Sequence, residues 1–224
     1  MKEKIQDNSS VDKKSLKRHL LRIACVVVVL GGLIWIWEDV IEDRVIPKRW
    51  GVIEEGKIYR SGRLSSALVK RVLEKHNIVV IVSLSGEKPN DKDQNAERKA
   101  AAELGIEILR FPLSGNGTGD IKNYAQAIAA MVNARRMNKP VLIHCAAGTQ
   151  RTGAVTACYR MLVENRSPEF AYKELLRYDY DPDKNPVLLS YVNDNMADLV
   201  SLLKEMEVID EVPAPLPLLP QTPQ

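Results

Sequence analysis

Val141-Leu142-Ile143-His144-Cys145-Ala146-Ala147-Gly148-Thr149-Gln150-Arg151-Thr152-Gly153 is the stretch on which the fold turns. It opens on β-branched and apolar residues and closes on a helical pattern that continues to about 165, with a short glycine-bearing loop between. Strand, short loop and helix in that order form the repeating unit of an α/β sheet. Upstream, 78–84 and 106–111 are further short apolar runs rich in β-branched residues, and Ile58-Tyr59 suggests a fourth. Their apolarity is continuous rather than alternating, as expected of strands buried on both faces of a parallel sheet. Helical patterns over 65–76, 93–104, 120–138, 151–165, 168–178 and 186–205 separate or follow them. The expected fold is α/β, a central, mostly parallel sheet flanked by helices.

In such sheets ligands bind beyond the carboxyl ends of the strands. Three loops are therefore expected to converge: 85–91, 112–119 and the loop from Cys145. The last is built for an anion. A helix N-terminus directs unpaired backbone N–H groups at one point. Gly148 permits a backbone conformation that a Cβ obstructs. Arg151, six residues after Cys145, is placed to close the loop with two parallel N–H bonds to phosphate oxygens. The same field favours a thiolate at Cys145. Ala146, Ala147, Gly148, Thr149, Gln150 and Thr152 complete the anion cradle, and Thr152 is positioned to donate to the sulfur. His144 is expected to orient the loop rather than to carry protons.

His-Cys-x5-Arg-Thr-Gly resembles the signature of the protein tyrosine phosphatase superfamily. Tyr59-Arg60-Ser61-Gly62, Val82-Ser83-Leu84-Ser85-Gly86-Glu87 and Pro140-Val-Leu-Ile-His-Cys145 add a similarity to bacterial members of the dual-specificity type, over about 55–195. The resemblance implies hydrolysis of phosphate monoesters through a cysteinyl-phosphate on Cys145, with Arg151 binding phosphate, and no metal or other cofactor. A rhodanese-like sulfurtransferase also carries its cysteine on a loop after a strand, but the Arg-Thr-Gly ending favours the phosphatase.

The leaving group needs a proton, usually from a carboxylic acid. The family places an aspartate about thirty residues before the cysteine. Here that stretch, 113–119, holds no acid. Asp120 is the nearest candidate, though its place before a helical pattern also suits an N-cap. Glu87 is a second. Asp179, Asp181 and Asp183 are expected at the surface. The uncharged loop argues against highly charged inositol phosphates and makes an aryl phosphate such as phosphotyrosine the first choice. Arg60 and Arg63 are either additional positive charge near the site or surface groups. The alternatives are a phosphatase of small phosphorylated metabolites, lipids or polysaccharide precursors, and a phospho-binding module with little turnover.

The chain has 224 residues and a net charge of +3, too little to imply a nucleic-acid partner. The basic excess is local: residues 1–22 carry seven Lys/Arg against three acids. Its three cysteines are too few for a disulfide scaffold; Cys25 and Cys158 read as small buried apolar residues. Ile23 to Trp37 is an unbroken apolar run, and with Leu20, Leu21 and a snorkelling Arg22 it reaches the lower length limit of a membrane-spanning helix. The expectation is a basic cytoplasmic N-terminus over 1–22, a transmembrane anchor over 20–37, a charged stalk over 38–49, a phosphatase domain over 50–205 and a Pro-rich disordered tail over 206–224. The positive-inside rule would place the catalytic domain on the extracytoplasmic side. The tail's Pro217-Leu-Leu-Pro220 fits a PxxP pattern.

Overall fold

The structure, a computed structural model, describes residues 9–36 and 45–220. Residues 1–8 of the expected cytoplasmic segment, 37 of the anchor, 38–44 of the stalk and 221–224 of the tail lie outside the described residues. The chain divides into two units, one ending at Asp43 and the other beginning at Arg44.

The first unit contains helix α1 (Ser9–Ile36). Its residues Leu20, Leu21, Ile23 and Val26 to Leu30 are all exposed. The expected transmembrane helix over 20–37 is not found: among the described residues, no helix is long and apolar enough to cross a membrane. The apolar run occupies only the second half of α1, and the first half carries Lys13, Lys14, Lys17 and Arg18.

The second unit is built on a sheet of five strands: β1 (Gly51–Glu54), β2 (Ile58–Gly62), β3 (Val80–Ser83), β4 (Glu107–Arg110) and β5 (Val141–Cys145). The strand order is β1-β2-β5-β3-β4. Only the β1–β2 pair is antiparallel; β2–β5, β5–β3 and β3–β4 are parallel. The expected sheet is therefore present, with β1 as an additional edge hairpin strand.

Side chains alternate across a strand, so continuous apolarity fills two cores. Ile58, Val80, Val82, Val141, Ile143 and Cys145 face the larger one. Helices α4 (Ile121–Arg136), α5 (Gln150–Leu162), α7 (Val187–Asp194) and α8 (Met196–Glu205) contribute to it. Tyr59, Ile81 and Leu142 face the smaller core, beneath α2 (Val69–Lys75) and α3 (Lys92–Leu104). Helix α6 (Pro168–Arg177) adds Ala171 and Leu175 to the larger core.

The helix expected over 186–205 is two helices, broken at Asn195, whose side-chain amide donates to the Tyr191 carbonyl at 2.8 Å. The domain also extends past its expected limits. Residues 48 and 49 of the expected stalk bond to it: the Gly62 N–H donates to the Lys48 carbonyl at 2.7 Å. The tail, expected to be disordered, packs on the domain as far as residue 220. Leu219 is buried, and the Asn193 amide brackets it, donating to the Leu219 carbonyl at 2.9 Å and accepting its N–H at 2.8 Å.

Candidate active site

Parallel register brings the carboxyl ends of β2, β5 and β3 level. Gly62 lies opposite Cys145, and Ser83 opposite His144. The chain leaves β5 at Cys145 and enters α5 at Gln150, so the connecting loop stands at the edge where anion sites form. Thr149 precedes α5 without a side-chain cap bond, leaving the N–H groups of the first turn uncapped.

Cys145 sits at the floor of this loop, 1% exposed. The Gly148 N–H donates to its Sγ at 3.1 Å. Burial pushes the thiol up, but the Thr152 hydroxyl, the Arg151 charge and the backbone N–H groups of Thr152 and Gly148 outweigh it. The net result is a thiol below its ordinary value of 9.0. Arg151 reaches across to the end of β3, donating to Ser85 Oγ at 3.1 Å and approaching the Leu84 carbonyl at 3.5 Å. Ala146 is exposed, Ala147 and Gln150 are half-buried, and Gly148, Thr149 and Thr152 are buried.

The loop's shape is fixed from outside. Gly148 lies at φ +82°, and a Cβ there would stand 2.5 Å from the Gly62 nitrogen. Only glycine combines that angle with that approach. The Arg63 N–H donates to the Ala146 carbonyl at 3.1 Å. Arg49 Nη1 donates to the Ala147 carbonyl at 2.9 Å, while its Nε pairs with Asp179 at 2.8 Å. Arg60 donates to the Gly148 carbonyl at 2.5 Å. Its guanidinium is fully buried and lies 3.7 Å from the centre of the Tyr178 ring. Burial pulls its pKa down to about 10. Three successive carbonyls of the loop are thus turned outward onto donors.

Behind the loop, His144 Nε2 lies 2.9 Å from Glu97 Oε2, both side chains 2% exposed. The other ring nitrogen, Nδ1, lies 3.3 Å from the Cys145 carbonyl oxygen. Among the described residues, no cluster of three His, Cys, Asp or Glu side chains has the geometry to hold a metal ion.

A family model described as dual specificity phosphatase, catalytic domain, matches residues 62–191. The chain belongs to that family. Dual specificity protein phosphatase OPG106 of vaccinia virus (strain Copenhagen) is 37% identical over 68 residues, 30% of this chain and 40% of that protein. Dual specificity protein phosphatase Mpk3 of Drosophila melanogaster is 26% identical over 126 residues, 56% of this chain and 28% of that protein. The chain thus spans well under half the length of these curated relatives. Among solved structures, P. aeruginosa TpbA matches with a TM-score of 0.56 and 22% identity, over 71% of this chain and 91% of that one. The catalytic core of the PP-IP phosphatase SIW14 from S. cerevisiae matches with a TM-score of 0.55 and 23% identity, over 70% and 93%. These last two are likenesses of fold.

Within this dual specificity phosphatase domain the three predicted loops meet. Ser85 meets Arg151, and the 112–119 loop lies against the loop that follows Cys145, a Cβ on Gly117 falling 3.5 Å from the Gln150 carbonyl. Asp120 is exposed, and its carboxylate caps α4, accepting the Lys122 N–H at 2.9 Å. Glu87 is turned away, paired with Arg98 at 2.8 Å and 60% exposed. Arg63, one of the two undecided arginines, pairs with Asp91 at 2.5 Å. Sequence reasoning passed over Glu97 and Arg49. Glu97 had a signal: it shares the buried face of α3 with Gln94, Ala100 and Ala101, where a charged residue is out of place. Arg49 had none, because only the tertiary fold brings it to Ala147.

Proposed function

We propose that the chain hydrolyses phosphate monoesters, aryl phosphates such as phosphotyrosine foremost, with Cys145 as nucleophile. The observation carrying this reading is a buried thiol that accepts the Gly148 N–H, is held below its ordinary pKa, and lies at the floor of a loop whose carbonyls are turned outward onto donors. The Cys145 thiolate attacks phosphorus, forming an S–P bond as the P–O bond to the leaving group breaks. The loop N–H groups and Arg151 stabilise charge on the equatorial oxygens. Ser85 and the Leu84 carbonyl hold Arg151 in reach of the loop. Water then cleaves the cysteinyl-phosphate, releasing phosphate and the thiolate. Asp120 protonates the leaving oxygen in the first step, leaving its capping position on the glycine-rich loop to do so.

The uncharged loop residues favour a substrate that offers one phosphate and an apolar body over a polyphosphorylated ring. The fold neighbour TpbA has been crystallised with phosphotyrosine, which supports the same choice. The test is hydrolysis of p-nitrophenyl phosphate by the full chain, expected to be inhibited by vanadate and abolished by Cys145→Ser. Activity surviving that substitution overturns the mechanism, and phosphate binding without turnover by the unaltered chain identifies a phospho-binding module instead. Asp120→Asn is expected to slow alkyl phosphates more than p-nitrophenyl phosphate; equal slowing removes Asp120 from the role of acid.

We propose, too, that the exposed apolar residues of α1 hold the enzyme at a lipid surface. Removing Leu20, Leu21 and the Val26 to Leu30 surface from water is the physical support. The full chain is expected to sediment with phospholipid vesicles, and the pair Val27→Asp with Val29→Lys to release it. Sedimentation unchanged by the pair rejects this attachment. Labelling of Cys145 by an impermeant thiol reagent in intact cells reads the side on which the domain lies.

A further inference from the structure

Glu97 is a carboxylate where a dual-core sheet offers no water. It sits on α3 over the smaller core, 2% exposed, and a buried carboxylate costs several kcal/mol unless it is paired. A leucine or glutamine would fill the same face without that cost. Its partners explain its presence. Oε2 lies 2.9 Å from His144 Nε2, and Oε1 lies 3.7 Å from Arg110 Nη2. Strand parity makes the first contact possible: Cys145 points into the larger core and His144, one residue earlier, to the opposite face, where α3 lies.

We infer that Glu97 is a positioning residue for the nucleophile, holding the His144 ring against the Cys145 carbonyl and supplying the counter-charge to its imidazolium. This rests on the reading of Cys145 as nucleophile. The groups facing Glu97 are His144 from β5, Arg110 from the end of β4 and Arg63 after β2; those facing His144 are Glu97 and Cys145. Burial opposes the charge on both members. The partner's charge and their hydrogen bond outweigh it, raising His144 above its ordinary value and lowering Glu97 below its own. A cation one residue from the sulfur, on the far side of the sheet, adds to the field of Arg151 and the helix N-terminus. With Glu97 neutral, the largest compensation for burying an imidazolium is lost, and His144 becomes neutral.

The test uses the full chain and follows alkylation of Cys145 by iodoacetamide against pH, with the Cys145 peptide quantified by mass spectrometry because Cys25 is exposed. Glu97→Gln keeps the volume and removes the charge. It is expected to raise the alkylation midpoint by about one pH unit, and to move the acidic limb of kcat/KM for p-nitrophenyl phosphate by the same amount. In a His144→Asn background Glu97→Gln is expected to add no further shift. An unmoved midpoint, or an equal shift in both backgrounds, overturns the inference. The unaltered protein gives a reading independent of any variant: the His144 imidazole, followed by NMR, should stay protonated above its ordinary 6.5, and an imidazole already neutral at pH 6 overturns the inference. If the midpoints move as expected while no phosphate ester is hydrolysed, the catalytic reading fails and the coupling stands.

Discussion

Gly148 is the residue at which the loop tolerates least. Its φ of +82° lies in the left-handed region, and a Cβ would also meet the Ser61 carbonyl carbon at 2.8 Å and oxygen at 2.9 Å. All of these are backbone atoms of β2 and cannot rotate away. Gly148→Ala is therefore expected to cost about 1–3 kcal/mol of stability, read by denaturant unfolding. It should lower kcat/KM for p-nitrophenyl phosphate at least about tenfold, because displacing Gly148 also moves the N–H that contacts Cys145 Sγ. Cys145, Gly148 and Arg151 were legible in the chain because their spacing is local: six residues around one turn. Arg60 was undecided between surface and site for the opposite reason. A tyrosine 118 positions away covers it, and nothing in the local sequence marks it as the group that turns the Gly148 carbonyl outward.

At the scale of elements, the strand-loop-helix unit and the parallel strands were readable because burial on both faces writes continuous apolarity into the sequence. The boundaries were less readable. Asn195 breaks a helix that periodicity alone continues, and β1 is too short and mixed to stand out. The segment entering β1 is the element with the most functional consequence. Arg49, itself at φ +48°, connects Asp179 to the catalytic loop from outside the 62–191 span of the family domain. Its ion pair is partly exposed, 32% and 67%, and such pairs contribute only about 0–1 kcal/mol. Arg49→Ala should therefore leave the melting temperature within a few degrees while lowering kcat/KM by roughly tenfold, because the Ala147 carbonyl loses its outward donor. Unchanged kcat/KM would assign the contact to packing alone.

Across the whole domain, the buried His144–Glu97 pair ties stability to pH in two directions. His144 is raised, so its contribution is complete below 6.5 and is lost as pH rises through the folded value. Glu97 is lowered, so its contribution is complete above 4.5 and is lost as pH falls through its folded value. The pair therefore stabilises most between those limits, and Glu97→Gln should abolish the loss above 6.5 while a His144 left neutral by burial costs stability as pH falls below 6.5. The tail belongs to the same domain. Leu219→Ala is expected to cost about 2–5 kcal/mol if its pocket does not collapse, a loss that a loose tail would not show in thermal unfolding. Taken alone, the sequence determined the sheet class and the strand-loop-helix unit that carries Cys145 and Arg151, because periodicity and short-range spacing are local properties. Tertiary structure decided what holds that loop: Arg60, Arg49 and Glu97 reach it from β2, from the segment ahead of β1 and from α3. It also seated the tail beside Asn193. Those contacts join residues tens of positions apart, and only packing and strand register bring them within hydrogen-bond reach.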